Sequence, residues 1–315
     1  MHDSRMHSFS ARHLRSFLLF LGWPLAPLCA ASPPSGDLSH DHHSHSDSVS
    51  NAGALVTGAD VERGGFFEPF QHRHRSSSGT PMVHPLTVEP ALTGRDLFLD
   101  YRFRSGEAGK EHELELELEW AITRRLGFLV ELPYIFERED GEPALDGFGD
   151  LIFVPRVLVH EGTDHLMTLQ LEVVMPTGRD GLGGETALAP GIVTWINLGD
   201  WWALNTQIAW EHVFEEDENF LNIGLGLTKT LGHGNSKPGS GSSQFHETGL
   251  TSLLFEATGT VNLSGEGRGE VEFEGLLGVT HGLQNGLDLR LGLEFPITSP
   301  RSFDYGILFG AVWHF

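Results

Sequence analysis

The sequence predicts an all-β protein, a transmembrane antiparallel β-barrel of about twelve strands that follows a disordered N-terminal segment. Three observations predict it. Apolar and polar residues alternate with a period of two from residue 95 to the end. The connections between these segments alternate between tight and long. The chain opens on an export-type leader and closes on an aromatic residue, Phe315.

Residues 1–31 read as a signal peptide. Arg5, Arg12 and Arg15 form a basic stretch, and Phe17 to Leu21 with Trp23, Leu25 and Leu28 form a short apolar one. Ala30 and Ala31 offer small residues for cleavage, and Leu28 before Cys29 argues against lipidation. Cleavage there removes the one cysteine, so thiol chemistry drops out. Residues 32–94 are polar and non-periodic and read as a disordered periplasmic segment, with Phe66, Phe67 and Phe70 able to dock on or inside a barrel.

The barrel is assigned to residues 95–315. Leu97, Leu99, Tyr101 and Phe103 alternate with Asp100, Arg102 and Arg104. From Glu113 to Trp120 every glutamate falls on one face of a strand and every leucine on the other, whereas a helix would scatter the glutamates around its circumference. The pattern returns at 128–134, 167–173, 221–227, 255–261, 270–274 and 287–295, and again from Tyr305 to Phe315. Weaker segments lie at 151–160, 188–197 and 202–214. The second lacks a clean polar face, and Pro155 in the first calls for a bulge or a late strand start.

Alternation alone also fits a soluble sandwich. The membrane reading rests on the rhythm of connections: Thr123–Leu126, Glu161–Asp164, Leu198–Asp200 and Gly282–Gly286 are tight, and most of the others are longer. Gly232–Gly249 is the exception, a long Gly/Ser-rich link on the short-turn side. Trp120, Tyr134, Trp195, Trp201, Trp202 and Trp313 sit at strand ends, where aromatic girdles meet the two interfaces. Phe315 on an alternating last strand resembles the signal that such barrels present to the outer-membrane assembly machinery. The expected location is the cell outer membrane, with outer-membrane lipid as partner and both termini periplasmic.

With leucines facing lipid, the lumen is assigned Glu113, Glu115, Glu117, Glu119, Glu131, Arg156, Glu172, Glu256, Glu272, Glu274, Arg290 and Glu294. So many carboxylates require a wet interior or counter-charges. Acidic residues outnumber basic ones 43 to 20, giving a net charge of −23 that disfavours nucleic acid and serves either attraction of cations or plain solubility. His40, His42, His43 and His45 with Asp41 offer a flexible ligand set for a divalent metal; no other cofactor is expected. His160, His165, His212 and His281 lie near strand ends, but no Gly-x-Ser-x-Gly accompanies them, so an outer-membrane lipid hydrolase ranks below a non-enzymatic barrel.

Three short motifs stand in order along the chain: Glu131-Leu-Pro-Tyr134, Gly147-Phe-Gly-Asp150 and Met175-Pro-Thr-Gly178. In these, from about Asp96 to Phe315, the chain resembles the outer-membrane family labelled "MetA-pathway of phenol degradation". The resemblance implies a barrel that admits hydrophobic or aromatic small molecules. The motifs themselves read as turns and strand exits, with glycines supplying conformational freedom. The expected function is passage of small solutes, either such molecules or cations. The alternative is a barrel-anchored metal-binding or structural protein.

Overall fold

The computed structural model describes residues 66, 75–76, 78–107, 109–139, 143–231, 249–265, 267–283, 286–299 and 301–315. The signal peptide and the histidine tract at 40–45 lie outside the described residues. The strands in chain order are β1 (Arg95–Ser105), β2 (Gly109–Ala121), β3 (Leu126–Glu139), β4 (Leu145–Phe148), β5 (Leu151–Glu161), β6 (His165–Met175) and β7 (Ala187–Gly199). They continue with β8 (Trp202–Val213), β9 (Glu218–Leu231), β10 (Thr251–Asn262), β11 (Val271–Gly282), β12 (Leu287–Pro296) and β13 (Tyr305–His314).

All pair antiparallel in one sheet that closes on itself. β1 bonds β2 on one side and β13 on the other, in register from Asp96↔His314 to Ser105↔Tyr305. β4 and β5 share β3 as partner: β4 covers Tyr134–Glu137 and β5 covers Leu126–Glu131. The thirteen strands therefore make twelve staves. Closure is what hydrocarbon demands, because lipid offers no partner to an open strand edge.

One end of the barrel carries the start of β1, the end of β13 and the tight turns, including the two-residue turn Asp200-Trp201, both at positive φ. This is the turn end; the opposite rim, with 176–186, 263–270 and 297–304, is the loop end. Pro155 stays in register with Phe128 of β3, but the ladder to β6 makes no pair at Val154 or Pro155. The irregularity in that ladder falls later, between Leu158 and His160.

Sidedness is inverted relative to a soluble protein. Leu114, Leu116, Leu291, Leu293 and Phe309 are exposed on the outer face, while Glu115, Glu117, Glu119, Glu256 and Glu294 are buried inside. Tyr134, Trp202 and Trp313 are exposed as girdle residues should be. Trp195 is not one of them. It is buried and faces the bore, because its place in β7 shares the parity of Val193 and Ala189.

The bore is filled by the chain itself. Contrary to the expectation of disorder through residue 94, residues 80–94 form a loop that enters at the turn end, reaches mid-bore at Leu86–Glu89 and returns to begin β1. Met82, Val83, Leu86, Val88, Ala91 and Leu92 are all buried. Met82, Ala91 and Leu92 pack with Leu158, Leu166, Val193, Trp195 and Ala203 of β5–β8. Leu86 packs with Leu254, Leu276 and Leu308. Segment 188–197 lacks a polar face for this reason: its inner side is a socket for apolar residues of the loop. A composition window could not show it, since the socket exists only once the staves have closed. Pro81, Pro85 and Pro90 also reduce the freedom that ordering the loop must remove.

Room for the loop comes from glycines on the inward parity. A Cβ on Gly292 would lie 2.9 Å from Leu86 Cδ2, and one on Gly224 would lie 3.1 Å from Val88 Cγ2. Gly292→Val should therefore fold as a barrel yet lose the docked loop, since overpacking typically costs about 1–3 kcal/mol. Limited proteolysis should then cut within residues 80–94, while heat-modifiable gel mobility reports an intact barrel.

Candidate functional site

The centre of the bore is organised by Glu256 of β10, which is fully buried. Its carboxylate accepts hydrogen bonds from the backbone N–H groups of Leu86 (2.7 Å), Thr87 (2.8 Å) and Val88 (3.0 Å), and from the Thr87 hydroxyl (2.7 Å). Three successive amides converging on one anion make a nest, in which charge and donors compensate one another away from water.

Four more backbone groups of the loop also find wall side chains. Glu89 N–H donates to Gln207 Oε1 at 3.1 Å, and Arg290 Nη1 donates to the Pro85 carbonyl at 3.1 Å. Arg156 donates to the Pro90 carbonyl, and Thr168 Oγ1 to that of Ala91 at 2.5 Å. The wall thus satisfies a segment that makes no regular secondary structure, as burial requires.

Towards the loop end lies a layer of ion pairs. Arg102 bridges Glu294 (3.1 Å) and Glu113 (3.2 Å); Arg104 bridges Glu294 (3.0 Å) and Glu274 (2.6 Å). Arg290 pairs with Asp100, and Arg156 with Glu119 at 3.4 Å. Between this layer and the loop, a cavity lined by Asp100, Arg102, Glu113, Glu115, Glu117 and Arg290 encloses about 20 Å³. That is room for roughly one water.

Ten of the twelve residues assigned to the lumen are buried there: Glu113, Glu115, Glu117, Glu119, Glu131, Arg156, Glu256, Glu274, Arg290 and Glu294. Glu172 and Glu272 keep the inward parity but are only half-buried, and Glu272 accepts the Ser302 N–H at 2.8 Å from the loop end. Arg104, Asp100, Gln207 and Thr168 belong to the same interior. Parity with Arg102 already marked Arg104 and Asp100. Nothing in the sequence marked Gln207 or Thr168 as anchors, because the segment they hold was read as disordered.

The three motifs meet at the loop end, where β4 gives way to β5. Asp150 accepts backbone N–H bonds from Gly178 (2.8 Å), Gly184 (2.9 Å) and Glu185 (3.2 Å). Leu151 N–H donates to Thr177 Oγ1 at 2.9 Å, and Gly149 N–H to the Pro133 carbonyl at 3.0 Å. Gly178 approaches so closely that a Cβ would lie 2.9 Å from the Gly149 carbonyl carbon. The motifs are one interlocked rim structure.

The four strand-end histidines do not converge. His160 and His165 stack at 4.2 Å, His212 Nδ1 lies 3.2 Å from Asn219 Oδ1, and His281 Nδ1 lies 2.8 Å from Thr251 Oγ1. Phe315 is exposed at the turn end, its N–H donating to the Arg95 carbonyl at 2.9 Å.

A closed barrel with leucines outside and carboxylates inside defines the class: an outer-membrane β-barrel. No family model matches the chain, and no curated protein does. Among solved structures, the COG4313 outer membrane channel from Pseudomonas putida F1 superposes with a TM-score of 0.52 at 14% identity, covering 74% of this chain and 100% of that one. The NanC porin follows with a TM-score of 0.46 at 9% identity, covering 70% and 99%. The KdgM porin in complex with disordered oligogalacturonate gives 0.43 at 10% identity, covering 69% and 99%. At these identities the likeness is one of fold.

Glu256→Ala should release the loop and leave the staves closed. It strands three buried N–H groups, each costing about 1–3 kcal/mol. Hydrogen exchange at residues 86–88 should accelerate at least ~10-fold, while exchange in β10 changes little. Glu256→Gln, which keeps one acceptor oxygen, should fall between.

Proposed function

We propose that the protein is a non-enzymatic outer-membrane passage for small solutes, kept shut by residues 80–94 and opened when that loop leaves the bore. The observation that carries this reading is the way the bore is closed. Its filling is a short, irregular loop entering from the turn end, held by wall side chains, rather than a core of interdigitating strands. Withdrawing it would leave a polar channel crossed by the Arg102–Arg104–Glu113–Glu274–Glu294 network.

The exposed wall would favour cations. Glu113, Glu115, Glu117 and Glu119 of β2 stand beside Glu131 of β3 on one side of the bore. Acidic surfaces of this kind select cations in channels. Hydrophobic or aromatic solutes, which the motif resemblance implies, would use the adjoining wall of β5–β8, where Leu158, Leu166, Val193, Trp195 and Ala203 form an apolar strip. In this reading the turn end faces the periplasm, the chain is exported with loss of residues 1–31, and Phe315 engages the assembly machinery.

Single-channel recording in planar bilayers under a salt gradient tests the proposal. The wild type should give small or infrequent steps. Glu256→Ala should give larger, cation-selective ones, and adding Glu115→Gln with Glu117→Gln should reduce that selectivity. Silence from a demonstrably folded Glu256→Ala barrel would sink the passage reading in favour of an anchor.

A further inference from the structure

The turn-end mouth holds a cluster that neither the Glu256 nest nor the ion-pair layer uses. His84, on the inbound limb of the loop, meets the seam where the first and last strands join. Its Nε2 lies 3.5 Å from Asp96 Oδ2 of β1. His314 of β13 places Nδ1 2.7 Å from Asp96 Oδ1, and its Nε2 lies 3.4 Å from Asp288 Oδ2 of β12. Ligand atoms of His84, Asp96 and His314 all fall within 4.8 Å of one another. His84 and Asp96 are buried, and neither ring nitrogen of His84 makes a hydrogen bond among the described residues.

Two features of this arrangement point to a ligand. A buried imidazole normally satisfies at least one nitrogen, yet His84 directs Nε2 at a carboxylate from beyond good hydrogen-bond range. A separation of 3.5 Å is close to the spacing of two ligands around one ion: bonds of about 2.0–2.1 Å in a tetrahedron put their ends roughly 3.3–3.4 Å apart. Asp288, on the far nitrogen of His314, stands where a carboxylate orients a metal-binding imidazole and raises its basicity.

We propose that His84 Nε2, His314 Nδ1 and an Asp96 oxygen bind one divalent transition-metal ion of the zinc class, with Asp288 positioning His314. Two imidazoles and a carboxylate suit Zn²⁺, Co²⁺ or Ni²⁺ better than Ca²⁺ or Mg²⁺. Binding displaces the proton held between His314 Nδ1 and Asp96, and the Nε2–H of His314 donates to Asp288. The ion ties the loop to the barrel seam, so its occupancy fixes the inbound limb. The site uses none of the histidines of the tract at 40–45 and does not depend on whether solutes pass through the bore.

The test uses the mature full-length chain carrying His40→Ala, His42→Ala, His43→Ala and His45→Ala, so that the tract does not contribute. Co²⁺ titration of the refolded, chelator-treated protein should give one ion per chain, with visible absorption of a four- or five-coordinate site that Zn²⁺ abolishes. His84→Ala should lower Co²⁺ affinity at least ~100-fold, and Asp288→Asn about 10-fold. Because His84 lies outside every strand, His84→Ala should keep heat-modifiable mobility. Zn²⁺ should also slow proteolysis within residues 80–94 in the His84-containing protein alone. Absence of Co²⁺ binding at ~100 μM, or binding that His84→Ala leaves unchanged, overturns the proposal.

Discussion

The structure turns on one carboxylate with its surroundings. Glu256 is fully buried inside a barrel whose outer face is apolar, and an unpaired charge there would cost several kcal/mol. Three amides and a hydroxyl of residues 86–88 compensate it. The dependence is mutual, because those amides sit in a loop with no regular secondary structure and would themselves be orphaned without the anion. Wall and loop are each unsatisfied alone. The closed state is therefore a matched pair rather than a barrel with debris inside it.

That mutual need explains the division of the bore. Where β5–β8 turn apolar residues inward, the loop presents Met82, Ala91 and Leu92; where β10, β11 and β13 contribute Leu254, Leu276 and Leu308, it presents Leu86. Inward glycines such as Gly224 and Gly292 remove the side-chain volume that would hold its backbone away. Beyond the loop's apex none of the described residues is inserted, and the wall is partly neutralised by Arg102 and Arg104 against Glu113, Glu274 and Glu294. The interior is compensated by two devices in series. One is intrinsic to the staves and the other is supplied by the loop.

The proposed passage relies on this division of the interior. In the proposed passage, withdrawal of the loop would expose wall side chains around a polar bore without requiring the strand ladders to part. The rim knot at Asp150 lies at the other end and holds loops together independently of it. Substitutions that loosen the loop and substitutions at the rim therefore act at opposite ends of the barrel.

The sequence by itself determined the barrel. Strict alternation at Glu113–Trp120 or Leu287–Phe295 sets which side chains face lipid and which face inward, because a strand offers only two faces. The assignment of Glu119, Glu256, Arg156 and Arg290 to the lumen followed from parity alone. Only the tertiary structure decided what fills that lumen. Residues 80–94 carry no period, and their apolar side chains are buried against residues of the barrel wall. Their partners, from Leu158 to Leu308, come together only after twelve staves close. Trp195 was misplaced for the same reason: position near a strand end suggests a girdle, but its face of β7 points into the bore. His314 lies 218 residues from Asp96, and it meets His84 and Asp96 only through the β1–β13 seam and the loop's path. Local pattern encodes which face a residue occupies; what it meets there depends on contacts between segments distant in sequence, which no window of the chain contains.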